Sequence, residues 1–526
     1  MAKYFLIIFI IAATFRFWQL TSYPVSLTMD EVAIGYGSYS LLHTGRDDWG
    51  NILPIAFKSV GDYKPPVNFY LNIPSIFLFD LSEFGVRFPV ALLGSLSSLV
   101  FIIFLRRLGL PRLAALLGGL WLAILPWHVH YSRYGLEAVT ALYFLITGTA
   151  CWLTALPKKS YFWMALAIIN FSLSVWAYHS NRLFVPLLIL FLILTQFSQI
   201  KYVFKNTKKL FSLIILLLIF MGPFVWLTFT SEAIKQRAAM TSILREQSLL
   251  LTLHRGNYSS LAQRIFDNDV YLIFHHWLGK YTNYFDLRFW FWKALDFSPP
   301  GYPDSGLFYL VDLPLFILGI WALLKSHNSQ LKSLALFWFF VGPLASSFTM
   351  NEQHTLRTLV WLPFFGIVIA MGFRRFKFIY FVFLLLNILF VKDLYTKSLP
   401  RYFSEYWQYG YKQASVYACA HRDEYDRIII SPTFGSLGPL LTGIPDYYVL
   451  FYCKYPPQKY MFTKKIDKFD FTRVDWRNQL QMHDKALLIS AKWDYPELTP
   501  PPDHTLLKID YLNESPAFYF VTTQNK

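Results

Sequence analysis

Residues 210–229 read LFSLIILLLIFMGPFVWLTF, twenty consecutive positions without a charge, set directly behind Lys208 and Lys209. A helix needs roughly 17–25 apolar residues to cross a bilayer, and this run supplies them. Similar runs recur through the first three quarters of the chain. Eleven are read in all, at about 4–20, 86–105, 113–127, 138–156, 161–178, 183–199, 210–229, 306–324, 333–349, 356–372 and 377–393. Composition agrees: of 526 residues, 55% are hydrophobic, 19% aromatic and only 15% charged, where a soluble domain carries about 25% charge.

The formal net charge of +16 raises nucleic-acid binding as a possibility in a soluble protein. Its placement points elsewhere. With the N-terminus cytoplasmic, alternate connections carry Lys3; Arg106, Arg107 and Arg112; Lys158 and Lys159; Lys201, Lys205, Lys208 and Lys209; Lys325 and Lys332; and Arg374, Arg375 and Lys377. The intervening short loops hold far fewer basic residues. This is the positive-inside pattern, which sets an N-in topology with the C-terminal tail outside. The first span is read as a retained helix and not a signal peptide, because Arg16-Phe17-Trp18-Gln19 stands where a small-x-small cleavage site is required.

Three segments are too long and polar to be simple connectors: about 21–85, about 230–305, and the tail from about 394. Under this topology all three lie outside. The expected architecture is an α-helical polytopic membrane protein with about 11 transmembrane helices, external loop helices and a small C-terminal α/β domain. The domains are 1–393 and 394–526. In the tail, residues 404–420 have helical apolar spacing. Strand-like runs follow at Arg427–Pro432, Tyr447–Cys453, Ala486–Ala491, Leu506–Tyr511 and Ala517–Thr522, with a rigid Thr499-Pro500-Pro501-Pro502 turn among them. Cys419 and Cys453 both fall in the tail, where an external compartment permits a disulfide; spacing alone leaves their pairing open.

The first external loop carries the chemistry-bearing residues. Thr28 and Glu31 have the spacing of a capping box, with Thr28 as N-cap. Asp30 then sits in the first helical turn, where the helix dipole favours a carboxylate. Stability alone therefore accounts for both acids. Adjacent helical residues point about 100° apart, so the two are not the facing carboxylates of a glycosidase. Further on, Gly61-Asp62-Tyr63-Lys64-Pro65-Pro66 presents a lysine before two prolines that hold the backbone extended. Two more external helix ends stand out: Pro126-Trp127-His128-Val129-His130-Tyr131-Ser132-Arg133, leading to Glu137, and Ser347 to Arg357 with His354. Arg133 and Arg357 are cations on the side where few are expected, although an interfacial arginine can simply snorkel.

Together these pieces resemble the GT-C glycosyltransferases, within them the superfamily of protein O-mannosyltransferases and lipid A aminoarabinose transferases (glycosyltransferase family 39-like). The resemblance rests on Asp30-Glu31 after a first span, Lys64-Pro65-Pro66 in the same loop, Val86-Arg87-Phe88-Pro89, Ser132-Arg133, His354-x-x-Arg357 and Tyr406-Trp407-Gln408-Tyr409-Gly410-Tyr411. It implies a polyprenyl-phosphate sugar donor, an extracytoplasmic acceptor and work at the outer face of the cytoplasmic membrane. By the same resemblance Asp30 is the catalytic base. Lys64 contacts the donor phosphate, as in the aminoarabinose branch; the protein mannosyltransferases carry another residue before their paired prolines.

These residue types suit the chemistry. Direct displacement at an anomeric carbon needs a carboxylate within reach of the acceptor hydroxyl and cations where the leaving phosphate gains charge. Such a displacement inverts the anomeric centre. The substrate-binding candidates are Lys64 first, then Arg357, with His354, Arg133, Glu31 and Glu137 behind. A lipid-phosphate donor needs no nucleotide fold, and neither GxGxxG in a strand–turn–helix setting nor a P-loop is found. No cofactor is expected: the branches resembled do not generally require a divalent ion, and His128-x-His130 is read as a helix-end feature although two histidines can bind metal. Membrane lipids are expected partners and nucleic acid is not. Two rival readings are a lipid or polysaccharide transporter and a ligase using a lipid-diphosphate donor.

Overall fold

The computed structural model describes the chain apart from residues 1, 60–62, 204–206, 232–240, 252, 254–259, 267, 295–304, 351, 374–378, 437, 439, 441–442, 482–483, 495–499, 501 and 525–526. Gly61 and Asp62 of the lysine loop, Lys205, the Arg374, Arg375 and Lys377 cluster and Thr499 and Pro501 of the Thr499–Pro502 turn lie outside the described residues, as does part of the second long loop. By its contacts the chain divides into two compact units. The first comprises residues 1–18, 90–132 and 136–391, and the second residues 19–89, 133–135 and 392–526.

The first unit is helical, and a helix lies on each of the eleven apolar segments. Among the described residues, three helices are long and apolar enough to cross a membrane unaided: Glu83–Arg107, Glu137–Lys158 and Thr207–Thr230. The pair Arg112–Ile124 and Pro126–Ser132, bent by 54° at its break, qualifies only when taken together. Among the described residues five other apolar helices are shorter, four of them in this unit and one, Val67–Phe79, in the second. The chain is a membrane protein on this account, but these lengths do not by themselves yield a count of eleven crossings.

Side-chain burial sorts these helices by environment. Glu137–Lys158 is buried almost throughout. Thr207–Thr230 buries only Leu213, as a helix facing lipid tails does. Helix Tyr161–Ala177 packs back on Glu137–Lys158, where Ser174 Oγ donates to the Ala141 carbonyl at 2.8 Å and so satisfies a hydroxyl inside the bundle. Much of the remaining core is aromatic. Trp290 meets Phe365 edge-on at 5.1 Å and Trp361 at 5.6 Å, a geometry that sets a ring's positive edge on its neighbour's negative face.

The second unit combines loop and tail. From the first loop come α1 (Met29–Thr44), the two-residue strands β1 (Phe57–Lys58) and β2 (Tyr63–Lys64), and α2 (Val67–Phe79). The described residues of the tail form a five-stranded sheet from β3 (Arg427–Ile430), β4 (Phe469–Asp470), β5 (Ala486–Ala491), β6 (Thr505–Asp510) and β7 (Pro516–Thr522), in the order β4-β3-β5-β7-β6. β4, β3 and β5 run parallel; β7 is antiparallel to both β5 and β6. The centre of the sheet is the all-buried ALLISA strand β5, the continuous apolar run of a strand covered on both faces. Edge strand β6 carries Lys508 and Asp510, paired at 2.7 Å, charges of the kind that discourage edge-to-edge association.

Two tail expectations need correction. Tyr447–Cys453 is no strand: Pro445–Tyr452 is a helix with proline in its first turn. Its aromatic residues favour strands in isolation, but packing outweighs so weak a preference. Nor is 404–420 one helix. Helix Tyr411–Ala420 starts only after Gly410, whose φ of 108° is open to glycine and strained for other residues. Cys419 and Cys453 are joined as a disulfide, with Cα atoms 5.8 Å apart.

Loop and tail share one apolar core. Leu27, Val32, Ala33 and Tyr36 of the α1 region cluster with Ile428 and Ile430 of β3 and with Tyr448, Val449 and Phe451 of the Pro445–Tyr452 helix. Gly35 permits the approach: a Cβ there would lie 2.6 Å from the Phe451 ring.

Candidate active site

The start of α1 is fixed by its cap. Thr28 Oγ1 accepts from the Glu31 amide at 3.3 Å and the Glu31 carboxylate accepts from the Thr28 amide at 2.8 Å, the reciprocal capping box. The two acids of the turn then diverge, as their helical spacing requires. Asp30 leans outward and Glu31 inward.

Glu31 is fully buried and saturated. Oε1 accepts from Arg87 Nε at 2.8 Å and from the Gly135 amide at 3.0 Å, while Oε2 takes the Thr28 amide. Arg87, also without exposure, donates in addition to the carbonyls of Leu20, Pro24 and Ser26. One guanidinium thus ties the strand of chain leading to α1 onto the acid in its first turn. Buried charges persist only when paired and hydrogen-bonded, and here every partner is backbone or the opposite charge.

Asp30 pairs with Lys64. Its Oδ1 lies 2.9 Å from Lys64 Nζ, with the aspartate side chain 33% exposed and the lysine 8%. The carboxylate is therefore the accessible member and the ammonium the embedded one. Lys64 is held by short-range structure. It sits opposite Phe57 in the β1–β2 pair, and Phe57 stacks on Phe69 of α2 at 3.8 Å. Pro65 and Pro66 then feed directly into α2, which is braced on α1 by Ser38 Oγ donating to the Phe69 carbonyl at 2.9 Å.

Arg133 belongs to the same unit. It donates to Tyr395 Oη at 3.1 Å and to the Gln19 and Tyr23 carbonyls at 3.1 and 2.8 Å, with its guanidinium over the Tyr395 ring. In this structure it is a clamp on the loop. Three other sequence candidates lie in the first unit. Glu137 opens its helix as a buried first-turn acid. His354 Nδ1 accepts from the Arg357 amide at 3.3 Å. Burial, and then the Arg357 charge, hold this imidazole well below the ordinary histidine range, so it is neutral near pH 7. Arg357 itself lines a cavity of about 390 Å³ with His179 and Arg182.

Sequence reasoning missed the second support of the loop. Asp48 is buried, and its Oδ2 accepts from Tyr447 Oη at 2.7 Å. Burial chiefly, with the Asp47 charge adding, raises its carboxyl to about 6 against the Tyr447 hydrogen bond. The Glu83 carboxylate likewise takes Tyr452 Oη and Lys412 Nζ, each at 2.8 Å. No local signal announces these pairings, because their partners lie hundreds of residues apart. Among the described residues, no three His, Cys, Asp or Glu side chains gather as a metal set would.

An accessible carboxylate can take a proton, and an ammonium beside it can steady an anion. Residues 6–235 match the family described as dolichyl-phosphate-mannose-protein mannosyltransferase, a GT-C family, so the resemblance read from the motifs holds over the segment that carries Asp30, Lys64, Arg87 and Arg133. None of the curated proteins compared with the chain matches it. Among solved structures the chain is similar to ArnT from Cupriavidus metallidurans bound to undecaprenyl phosphate, at 12% identity over 99% of this chain and 97% of that one, with a TM-score of 0.45. It is similar to the oligosaccharyltransferase AglB from Archaeoglobus fulgidus at 12% identity, covering 86% and 59%, with a TM-score of 0.44. The S. cerevisiae Pmt1-Pmt2 complex bound to its sugar donor gives 18% identity, 44% and 34% coverage and a TM-score of 0.33. The family match and the site geometry, and not these distant likenesses, carry the chemistry.

Proposed function

We propose that the chain is an inverting glycosyltransferase that moves a sugar from a polyprenyl-phosphate donor to an acceptor hydroxyl at the outer face of the cytoplasmic membrane. The observation that carries this reading is the Asp30–Lys64 pair at 2.9 Å with its carboxylate accessible, inside the segment that matches the mannosyltransferase family. Asp30 accepts the acceptor's proton as its oxygen bonds to the anomeric carbon. The bond from that carbon to the phosphate oxygen breaks, its electron pair stays on the phosphate, and Lys64 meets the new charge. An ammonium has three donors, so Lys64 can engage a phosphate while still near Asp30. As it shares its charge with the phosphate, Asp30 becomes the stronger base, which couples donor binding to acceptor activation.

The remaining candidates take supporting roles. Glu31 and Arg133 position the loop, while Arg357, His354 and Glu137 contribute to substrate binding. The apolar runs support about eleven spans, and the basic connections support a cytoplasmic N-terminus under the positive-inside rule. A Cys419–Cys453 disulfide fits a tail in an oxidising compartment.

The test uses purified protein in lipid, a polyprenyl-phosphate sugar and candidate acceptors, with released polyprenyl phosphate read by mass spectrometry. Asp30→Asn abolishes turnover and keeps the fold and donor binding. Full turnover in that variant removes Asp30 from the mechanism.

A further inference from the structure

Within the second unit, the loop tip that joins α1 to β1 turns its acids inward and its apolar side chains outward. From Gly45 to Ser59 the charged residues are Arg46, Asp47, Asp48 and Lys58. Both aspartates are buried and both cations exposed. Trp49, Ile52, Leu53 and Ile55 are exposed as well, Ile52 and Leu53 at 65% and 62%. This exposure is built in. Asp47 Oδ1 accepts from the Trp49 and Asn51 amides at 3.0 and 2.7 Å, and Oδ2 accepts from Asn51 Nδ2 at 2.9 Å. Arg46 bridges to Ile52 and donates from its guanidinium to the Gly50 carbonyl at 2.9 Å. Tyr70 of α2 donates to the Pro54 carbonyl at 2.9 Å. A loop tied at so many points does not fold its aliphatic side chains away, and apolar surface held out in this manner marks an interaction site.

Charge and continuity say what the tip meets. Lys58 and Lys464 stand over the Trp49 ring, at 3.8 and 4.6 Å from its centroid. Tryptophan and lysine at the edge of an apolar surface are the anchors of a membrane–water interface. Cations outside and acids inside suit an anionic headgroup layer. The helix bonded to the tip carries the same surface onward. α2 has no charged residue, and Pro74, Phe77 and Leu78 are exposed on it. Pro74 and Leu78, four residues apart, share a face. Soon after α2 the chain enters the span Glu83–Arg107. A protein partner would leave unexplained why the exposed apolar surface runs on towards a span.

We propose that the Arg46–Lys58 tip seats in the headgroup layer of an anionic bilayer, with Ile52 and Leu53 reaching the upper acyl chains. Phe57 faces Lys64 across the β1–β2 pair, so a seated tip sets the level of that lysine against the lipid phosphates. This consequence rests on the transferase reading; the seating does not, and its test needs no sugar donor. The full chain, with its free Cys151 replaced by alanine, carries a bimane label on Ile52→Cys. It is placed in bilayer discs of phosphatidylcholine, with and without phosphatidylglycerol. Doxyl groups on the lipids quench the label at least twofold, aqueous iodide does not, and the doxyl effect is stronger with phosphatidylglycerol present. A label on Ile55→Cys, read the same way, serves should the first variant fold poorly. Quenching by iodide and not by doxyl overturns the seating. Protection from both quenchers shows a protein cover, a second copy or another chain, and overturns the lipid assignment. Equal doxyl quenching in the two lipid compositions overturns the anionic assignment.

Discussion

Replacing Glu31 by alanine removes the single acceptor on which four donors converge. Arg87 Nε, the Gly135 amide and the Thr28 amide lose partners at 2.8, 3.0 and 2.8 Å, and the Arg87 guanidinium, without exposure, is left with carbonyls only. Breaking a buried ion pair from one side costs about 3–5 kcal/mol, and an orphaned buried amide adds about 1–3 kcal/mol. Because neighbouring losses are not additive, the expected total is about 4–6 kcal/mol. For a unit of this size each kcal/mol lowers Tm by roughly 2–4 °C, so Glu31→Ala should melt roughly 10–20 °C earlier. The assay is tryptophan fluorescence of the detergent-solubilised full chain at one fixed scan rate, since membrane proteins unfold irreversibly. The double variant Glu31→Ala/Arg87→Met leaves no orphan charge and should regain at least about 1 kcal/mol over the single. A single variant melting within 2 °C of the parent, or a double variant losing the plain sum, would refute the strut role of this pair.

Lys64→Ala should lower kcat/KM for sugar transfer by about 10²–10³-fold, the loss typical of one electrostatic donor, with Lys64→Arg losing less; unchanged kinetics would make Lys64 a mere structural partner of Asp30. Asp48 titrates near 6, above its unfolded value near 3.9, so the folded state holds this proton more tightly. Stability therefore falls as pH rises from about 4 to 6, by on the order of 2–3 kcal/mol. Asp48→Asn should raise Tm at pH 7.5 and flatten that slope, leaving the share owed to Asp494, which burial raises to about 6 as well; an identical slope in the variant contradicts the assignment. Cys419→Ser should destabilise the tail by about 4 kcal/mol for a crosslink spanning 34 residues, and a parent chain whose Tm ignores reductant would show the bridge to be idle.

What could be read from the sequence was local. The capping box needs only Thr28 and Glu31 three residues apart, and it forms as spelled. Apolar runs announce helices because hydropathy is a property of the segment itself, but crossing a membrane also depends on length and neighbours, which is why the shorter helices leave the count open. Glu31 shows the opposite limit. Its cap was legible; its salt bridge to Arg87, 56 residues away, was not: a buried arginine at the head of an apolar run needs partners, but carbonyls can supply them as well as a carboxylate. In the Pro445–Tyr452 helix two local signals oppose each other, Pro445 as a helix start and a run of aromatic residues that favours strands, and only packing decides between them.

The Phe451 ring seated on Gly35 carries a consequence for anyone recombining such proteins. Cutting at the last span and grafting a foreign tail would separate Tyr448 and Phe451 from Val32 and Tyr36 and strip α1, which bears Asp30, of those packing partners. The portable module is discontinuous: residues 19–89, 133–135 and 392–526 must travel together. A foreign tail therefore has to arrive with its own copy of the loop that bears Asp30.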